Sequence, residues 1–425
     1  MISFLLISFF ALLALGVPIA FSMGISSLGC ILFMNIPFTV LPQRMFVSMS
    51  SFAFLAIPFF MFAGSLMGTG GISKRLINFA YSLVGSTTGG LANVGILSSM
   101  FFAGISGAAV ADTAAVGGVI IPAMIVKKYP KDFSAAVIGM ASTIGIIIPP
   151  SIPMVVMGGM LNISVGRLFL GGVIPGILIG IAMMIASYFI AKKNNYPKDD
   201  RKYSFKFLWD SFKDASLALL LPIIIITSIV GGVVSPTEAG AVAVVYAIVV
   251  GLFIYKELTL DKIIDALKDA VLSSAKVYII IGTAGLFAWL LTVNGFPTIV
   301  ENLLLSITKS PIIMMALIIG IILIITTFME SLATLILLLP VLYPISQMVH
   351  IDPIVFGVMI VISIGIGLVT PPVGLCLYVS SGIAGISLGK AAKQVIPFIF
   401  VTLIVQIFLL FFQQVITFLP NLLMK

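Results

Sequence analysis

The sequence predicts an all-α membrane protein that crosses the bilayer many times and is built from two similar halves in opposite orientation. Three observations predict it. Of 425 residues, 61% are hydrophobic and only 8% charged, whereas a soluble domain carries about a quarter charged residues. Apolar runs recur from end to end, for example 217–234, 242–255 and 395–419, and roughly 20 apolar residues suffice to cross a bilayer core. A double proline inside an apolar segment occurs twice, with similar surroundings each time.

In the first half, spans are expected near 2–16, 18–34, 51–68, 133–161 and 170–190, with a helix pair near 88–105 and 108–126 turning sharply at Ser106-Gly107. A lysine-rich linker, 191–215, follows. The second half repeats the pattern, with spans near 216–234, 237–255, 273–292, 353–383 and 395–418 and a helix pair near 311–326 and 331–346. Each pair reads as a re-entrant hairpin, 88–126 and 311–346, entering and leaving on one side. The repeats are therefore 1–190 and 216–425, each with five spans plus one hairpin. Five is odd, so the second repeat starts from the opposite side and is inverted. With the linker inside, every Lys and Arg falls on inner loops except Arg44, Arg167, Lys309 and Lys425. This is the bias of the positive-inside rule, and it puts both termini on the external face. The net charge of +8 thus follows from topology rather than from a nucleic-acid footprint.

Segments 70–84 and 258–272 mix apolar and charged residues at helical spacing and read as helices lying in the inner interface. The first apolar segment lacks a basic n-region and a clear cleavage site, so it is expected to be a retained span rather than a signal. Cys30 and Cys376 sit in apolar segments and suggest neither a disulfide framework nor a zinc site. The single histidine, His350, excludes metal motifs that need a His pair.

The internal repeat is visible in the residues. Gly145-Ile-Ile-Ile-Pro-Pro-Ser151 matches Gly367-Leu-Val-Thr-Pro-Pro-Val373. Ile163-Ser-Val-Gly-Arg167 matches Ile386-Ser-Leu-Gly-Lys390, and Val173-Ile-Pro175 matches Val395-Ile-Pro397, at nearly the same offset. Pro149-Pro150 and Pro371-Pro372 break helices 133–161 and 353–383 at mid-length, because proline removes a donor and clashes with the preceding turn. A lone kink satisfied by a neighbouring hydroxyl would be structural. Two at equivalent places in inverted halves, flanked by Ser151 and Thr370, point to a midplane site. The freed carbonyls and hydroxyls suit a hard alkali cation such as sodium. The hairpin turns, Gly104-Ile-Ser106-Gly107 and Thr326-Thr327-Phe-Met-Glu330-Ser331, bring helix N-termini that suit an anionic carboxylate.

Three acids lie within apolar segments, where charge is costly and usually functional. Glu330 is the candidate for a cation site or gate. Asp112 reads equally well as orienting the first hairpin or as functional. Glu238 follows Ser235-Pro-Thr at a helix start and reads as a cap. An intramembrane enzyme would need a paired catalytic constellation, which these acids in opposite halves do not make, and matched broken helices suit occluded sites better than a passive pore.

Phe101-Phe-Ala-Gly-Ile-Ser-Gly-Ala-Ala-Val-Ala-Asp112, the two Gly-to-Pro-Pro stretches and Ser235-Pro-Thr-Glu-Ala-Gly240 resemble the large membrane subunit of tripartite ATP-independent periplasmic (TRAP) transporters. The resemblance implies an elevator of the ion transporter superfamily, with scaffold and transport domains, in the bacterial inner membrane. It implies at least two sodium ions, a carboxylate substrate (sialic acid, another sugar acid or a C4-dicarboxylate), a small four-helix membrane subunit and a periplasmic binding protein. The small subunit is expected to be a separate chain. By position, the first sodium site would use Ser106, Gly145, Ile148 and Pro149, with Ala103 contributing a carbonyl alone. The second would use the turn from Thr327 to Glu330 with Gly367, Thr370 and Val373. Ser106, Gly107, Ser151, Thr370 and Pro372 would face substrate, with no arginine at membrane depth to clamp it. A stand-alone sodium/divalent-anion symporter shares this architecture and is the alternative; it would transport without partners.

Overall fold

The computed structural model describes residues 1–198 and 204–424, so Arg201 and Lys202 of the predicted linker, and Lys425, lie outside the described residues. The described residues form helices and turns, with no strand. So apolar a chain has little choice. In hydrocarbon each backbone N–H and C=O must be satisfied internally, which a helix does within its own segment.

In the first half α1 (Ile2–Ala14) and α2 (Ile19–Phe33) pack as a pair, followed by α3 (Val40–Met49), a 3-10 turn (Phe52–Leu55), α4 (Ala56–Thr69) and α5 (Ile72–Val84). The hairpin is α6 (Gly90–Ser106) and α7 (Ala109–Val126). The broken helix is α8 (Lys131–Ala141), a 3-10 turn (Ser142–Ile146) and α9 (Ile152–Leu161), and α10 (Val165–Lys193) closes the half. The second half runs α11 (Phe205–Val230), α12 (Pro236–Val249), α13 (Leu260–Val293) and α14 (Phe296–Ile307). Its hairpin is α15 (Pro311–Thr326) and α16 (Ser331–Met348), its broken helix α17 (Pro353–Gly367) and α18 (Leu375–Ala384), and α19 (Leu388–Phe411) and α20 (Gln414–Leu423) end it. The order of apolar helices, short amphipathic helix, hairpin, broken helix and closing helix thus occurs twice.

Among the described residues eight helices are long and apolar enough to cross a membrane, and two of them, α7 and α16, are hairpin halves. Several elements depart from the sequence expectation. At 13 and 15 residues, α1 and α2 fall short of the roughly 20 that a crossing needs. Shortening both together leaves the parity of the half unchanged. The predicted interface helix 258–272 and span 273–292 are one helix, the 34-residue α13. No glycine or proline interrupts it before Gly282, so its change from polar to apolar residues marks a change of surroundings, not of conformation. The span expected at 395–418 ends at Phe411 and resumes as α20. The short helices α3 and α14 were not expected at all.

The helices gather into two groups. One is α2, α3, α4, α12 and α13, with α13 packed along α2, α3 and α4. The other interleaves the halves: α18 packs on α7 and α8, α9 on α16, and α19 on α8 and α10. Between the groups, α5 lies against both α6 and α11. Gly70-Gly71 sets its angle to α4, with Gly71 at φ +80, a conformation that glycine adopts at no steric cost. A clamp forms there. The Arg75 guanidinium donates to Glu257 Oε1 at 2.6 Å and to the Gly71 carbonyl at 2.9 Å, and stacks 3.8 Å over the Tyr255 ring.

A Cβ on Gly71 would lie 2.0 Å from the Glu257 carboxylate, whereas one on Gly118 of α7 meets nothing within 4 Å. Gly71→Ala is therefore expected to destabilise the purified protein by about 1–3 kcal/mol, read as a lowered Tm, and Gly118→Ala to leave it unchanged or slightly raised. Equal effects would contradict the clamp.

Candidate functional site

The first break is held by its neighbours' backbone. Two successive prolines, joined by a cis peptide, leave the helix without donors at this point. Ser151 restarts it, accepting from Met154 N at 3.4 Å and donating to the Ile146 carbonyl at 2.6 Å. The hairpin tip is stitched to the same place: Ile152 N donates to the Gly107 carbonyl at 3.2 Å. Gly107 has φ +64, and a Cβ there would lie 2.7 Å from the Pro150 carbonyl. Ser106 Oγ donates to Asp112 Oδ1 and accepts from Ala108 N at 3.2 Å. Asp112 is fully buried, its Oδ2 has no hydrogen-bond partner, and a Cβ on Gly145 would fall 2.0 Å from that oxygen. Ser106, Gly107, Asp112, Gly145 and Pro150 are thus brought together. Ile148 turns its side chain toward Gly176 of α10, and Ala103 is buried in α6.

The second break is organised the same way with different residues. Val373 N donates to the Thr327 carbonyl at 3.3 Å, tying the break to the second hairpin tip. Thr327 Oγ1 is occupied by the Ile324 carbonyl and Thr370 Oγ1 by that of Ile366, both at 2.7 Å. Thr326 Oγ1 likewise donates to the Ile322 carbonyl at 2.7 Å, but it is Thr326, not Thr327, that faces the break: it is 3% exposed, and a Cβ on Gly367 would meet its Oγ1. A narrow crevice remains between Thr326, Met329, Ser331, Gly367 and Val373. Glu330 caps α16, accepting from Leu332 N at 3.0 Å, Ala333 N at 3.1 Å and Ser331 Oγ at 3.0 Å. The breaks differ in cover, since Pro149, Pro150 and Ser151 are buried while Pro371, Pro372 and Val373 are exposed. The two broken helices touch where a Cβ on Gly365 would sit 3.5 Å from Thr143 Cβ.

A cavity of about 870 Å³ opens between the two helix groups. The first hairpin contributes Ser106, Gly107 and Asp112, the second Glu330 and Ser331, and α4 and α13 form the facing wall. Gly64 of α4 lets that wall come close, since a Cβ there would lie 3.2 Å from Ser106 Cα. The two acids that the sequence assigns to opposite halves therefore share one chamber. Of the residues expected to face substrate, Ser106 and Gly107 line it; Ser151, Thr370 and Pro372 do not. Ser151 is spent on capping α9. Glu238 lies elsewhere, exposed, in a capping box with Ser235: its Oε2 accepts from Ser235 N at 2.7 Å, and Glu238 N donates to Ser235 Oγ at 3.3 Å.

Sequence reasoning named Thr326 in the second turn but assigned the site to Thr327, and it missed Lys276. Thr326 was legible, because Ile318, Ile322 and Thr326 continue the buried face of α15 at a spacing of four. Lys276 was assigned to an inner loop, yet it sits mid-way along α13 and lines the cavity.

A family model described as "Tripartite ATP-independent periplasmic transporter, DctM component" matches residues 6–415. The chain belongs to this family. It is a multi-pass membrane transporter permease and not an enzyme. Among similar DctM proteins, the sialic acid TRAP transporter large permease SiaM of Vibrio cholerae is 40% identical, over 97% of this chain and 96% of its own. The C4-dicarboxylate large permease DctM of the same species is 37% identical, over 100% of this chain and 98% of its own. The isethionate permease DctMQ of Oleidesulfovibrio alaskensis is 40% identical over 93% of this chain, which spans 62% of that relative's length. A solved transporter structure, YdaH of Alcanivorax borkumensis, shares the fold with TM-score 0.59 at 16% identity, covering 88% of this chain and 87% of that one.

Because Glu330 lines the chamber and Glu238 does not, Glu330→Gln is expected to lower initial transport rates about tenfold and Glu238→Gln less than about twofold, tenfold being the effect of about 1.4 kcal/mol. Rates measured in proteoliposomes with the reverse ranking would overturn this assignment of the acids.

Proposed function

We propose that this DctM-family chain is the large membrane subunit of a sodium-driven importer of organic anions in the bacterial inner membrane, with both termini periplasmic. The observation that carries the reading is the meeting of two interrupted helices and two hairpin tips beside one chamber. At each break a hairpin carbonyl pairs with the broken helix, Gly107 with Ile152 N and Thr327 with Val373 N, beside Ser106, Asp112 and Gly145 in the first and Thr326 and Gly367 in the second. To these we assign one ion each, the first with Ile148 and Pro149 and the second with Thr370 and Val373 as further oxygen donors. An alkali cation is bound well by several such neutral oxygens, and interrupted helices in related repeats are a common way to build such a site.

The recurring element order and the placement of lysines support inversion of the halves. The two helix groups, meeting through the small residue Gly64, support an elevator: α2–α4, α12 and α13 act as the scaffold, and the hairpins with the broken helices act as the moving body. The relatives' names mention sialic acid, 2,3-diketo-L-gulonate, C4-dicarboxylate and isethionate, which share a small organic anion. We assign a carboxylate, either a sugar acid such as sialic acid or a C4-dicarboxylate, delivered by a periplasmic binding protein to a complex of this chain with a small four-helix subunit.

Energetics set the ion count. Each sodium ion entering down about 100 mV releases about 2.3 kcal/mol, and a monoanion moving inward costs about the same. A tenfold sodium gradient adds about 1.4 kcal/mol per ion. One ion then leaves only about 1.4 kcal/mol for accumulation, and two leave about 5.

The test is uptake into proteoliposomes of radiolabelled sialic acid, 2,3-diketogulonate, succinate and isethionate. Uptake of one of them is expected only when an inward sodium gradient, the small subunit and the binding protein are all present. Ser106→Ala and Thr326→Val should each raise the sodium half-saturation about tenfold, the loss of about one hydrogen bond to a charge, with Thr327→Val close to wild type. Uptake without partners, or with potassium replacing sodium, would overturn the proposal.

A further inference from the structure

Four ionisable side chains line the chamber: Asp112, Glu330, Asp269 and Lys276. Two of them are engaged. Asp112 accepts from Ser106, and Glu330 accepts from the first amides of α16 and from Ser331. Lys276 is different. It lies at the middle of the 34-residue α13, on the face formed by Asp269, Ser273, Lys276, Val277 and Ile280, all of which line the chamber. That spacing is one side of a helix. Among the described residues the ion pairs are Arg75–Glu257 and Lys268–Asp265, and no carboxylate oxygen lies within 4.0 Å of the Lys276 ammonium. Asp269, two turns away on the same face, is about 10 Å along the axis.

Lys276 is exposed and is the one basic side chain among the described residues that line the chamber, beside the apolar wall of Met61, Phe102, Val277 and Ile280. A basic residue on the wall of a transporter's chamber marks a substrate path. Across the chamber stand Ser106 and Gly107, with the amides at the start of α7, which favour negative charge. Against the carboxylates of Asp112, Glu330 and Asp269, the first two of them engaged within the protein, the chamber offers an anion one full positive charge from α13 and the free first amides of α7.

We infer that Lys276 is the anion-clamping cation of this chamber. It binds the carboxylate or sulfonate of the transported anion from the α13 side while the chamber is open, and it supplies the positive charge that no arginine provides at this depth. The inference rests on the function proposed above, and it adds a side-specific role. α13 belongs to the group that holds still while the hairpins move, so Lys276 meets the anion only in the conformation described here. On the proposed topology that conformation faces the cytoplasm, because the chamber mouth carries Asp269 and Thr69.

The experiment measures half-saturation separately on the two faces of the complete complex in proteoliposomes. Binding protein added outside selects one orientation, and exchange from a loaded lumen reads the inner face. The probes are radiolabelled sialic acid, succinate and isethionate, using whichever the wild type carries. Lys276→Gln is expected to raise the inner half-saturation about tenfold, the scale of one charge-assisted contact. The outer half-saturation should stay within about twofold, which also shows that the variant is folded. Lys276→Arg should restore most of the inner affinity. An unchanged inner value, an equal shift on both faces or a failure of arginine to rescue would overturn this role while leaving the sodium-coupled reading intact. A wild type that carries none of these probes and no 2,3-diketogulonate would overturn both.

Discussion

Backbone hydrogen bonding in an apolar medium governs this structure. A chain with 61% hydrophobic residues must satisfy its own amides and carbonyls, and among the described residues it does so in helices broken at a few chosen places. The two double prolines are the sharpest of these. Each forbids the helix to continue, and each is matched by a hairpin whose tip is hydrogen-bonded back to it: Ile152 N to the Gly107 carbonyl, and Val373 N to the Thr327 carbonyl. Broken helix and hairpin are therefore one unit. Glycines at Gly107, Gly145 and Gly367 are needed because any Cβ there would strike a partner's oxygen within 3.0 Å.

The consequence is a pair of interruptions of unequal exposure. At the first, Pro149, Pro150 and Ser151 are buried and Asp112 lies against Gly145. The second is open at Pro371, Pro372 and Val373. In the proposed cycle this asymmetry belongs to one end of the stroke, with the first hairpin lining the chamber and the second break reaching it through Glu330, Ser331 and Leu368. The clamp of Arg75, Glu257 and Tyr255 lies where α5 leaves α4, so the arm leading to the first hairpin is anchored at its base.

Most of the architecture was legible in the residues because proline, glycine and capping chemistry act locally. Pro149-Pro150 and Pro371-Pro372 announce their breaks, and Ser235-Pro-Thr-Glu238 announces its capping box. What escaped depended on context. The polar start of α13 read as a separate surface helix, since composition reports surroundings while continuity depends only on the absence of a breaker before Gly282. Lys276, although inside the expected span 273–292, was counted among the inner-loop lysines by its charge alone. The length of α1 and α2 was overread because apolar residues at their ends belong to turns. Ser151 was placed at the substrate by its flanking position, yet the need to cap α9 takes its oxygen first. Thr326 and Thr327 are adjacent, and only the helical phase of α15 tells which one turns inward.

The central claim is that each interruption holds an alkali ion. Equilibrium binding of radioactive sodium to the purified complex tests it most directly. The account predicts at least two ions per permease, one lost when Gly145 is replaced by alanine and another when Gly367 is. Fewer than two ions, or full binding in both variants, would contradict it.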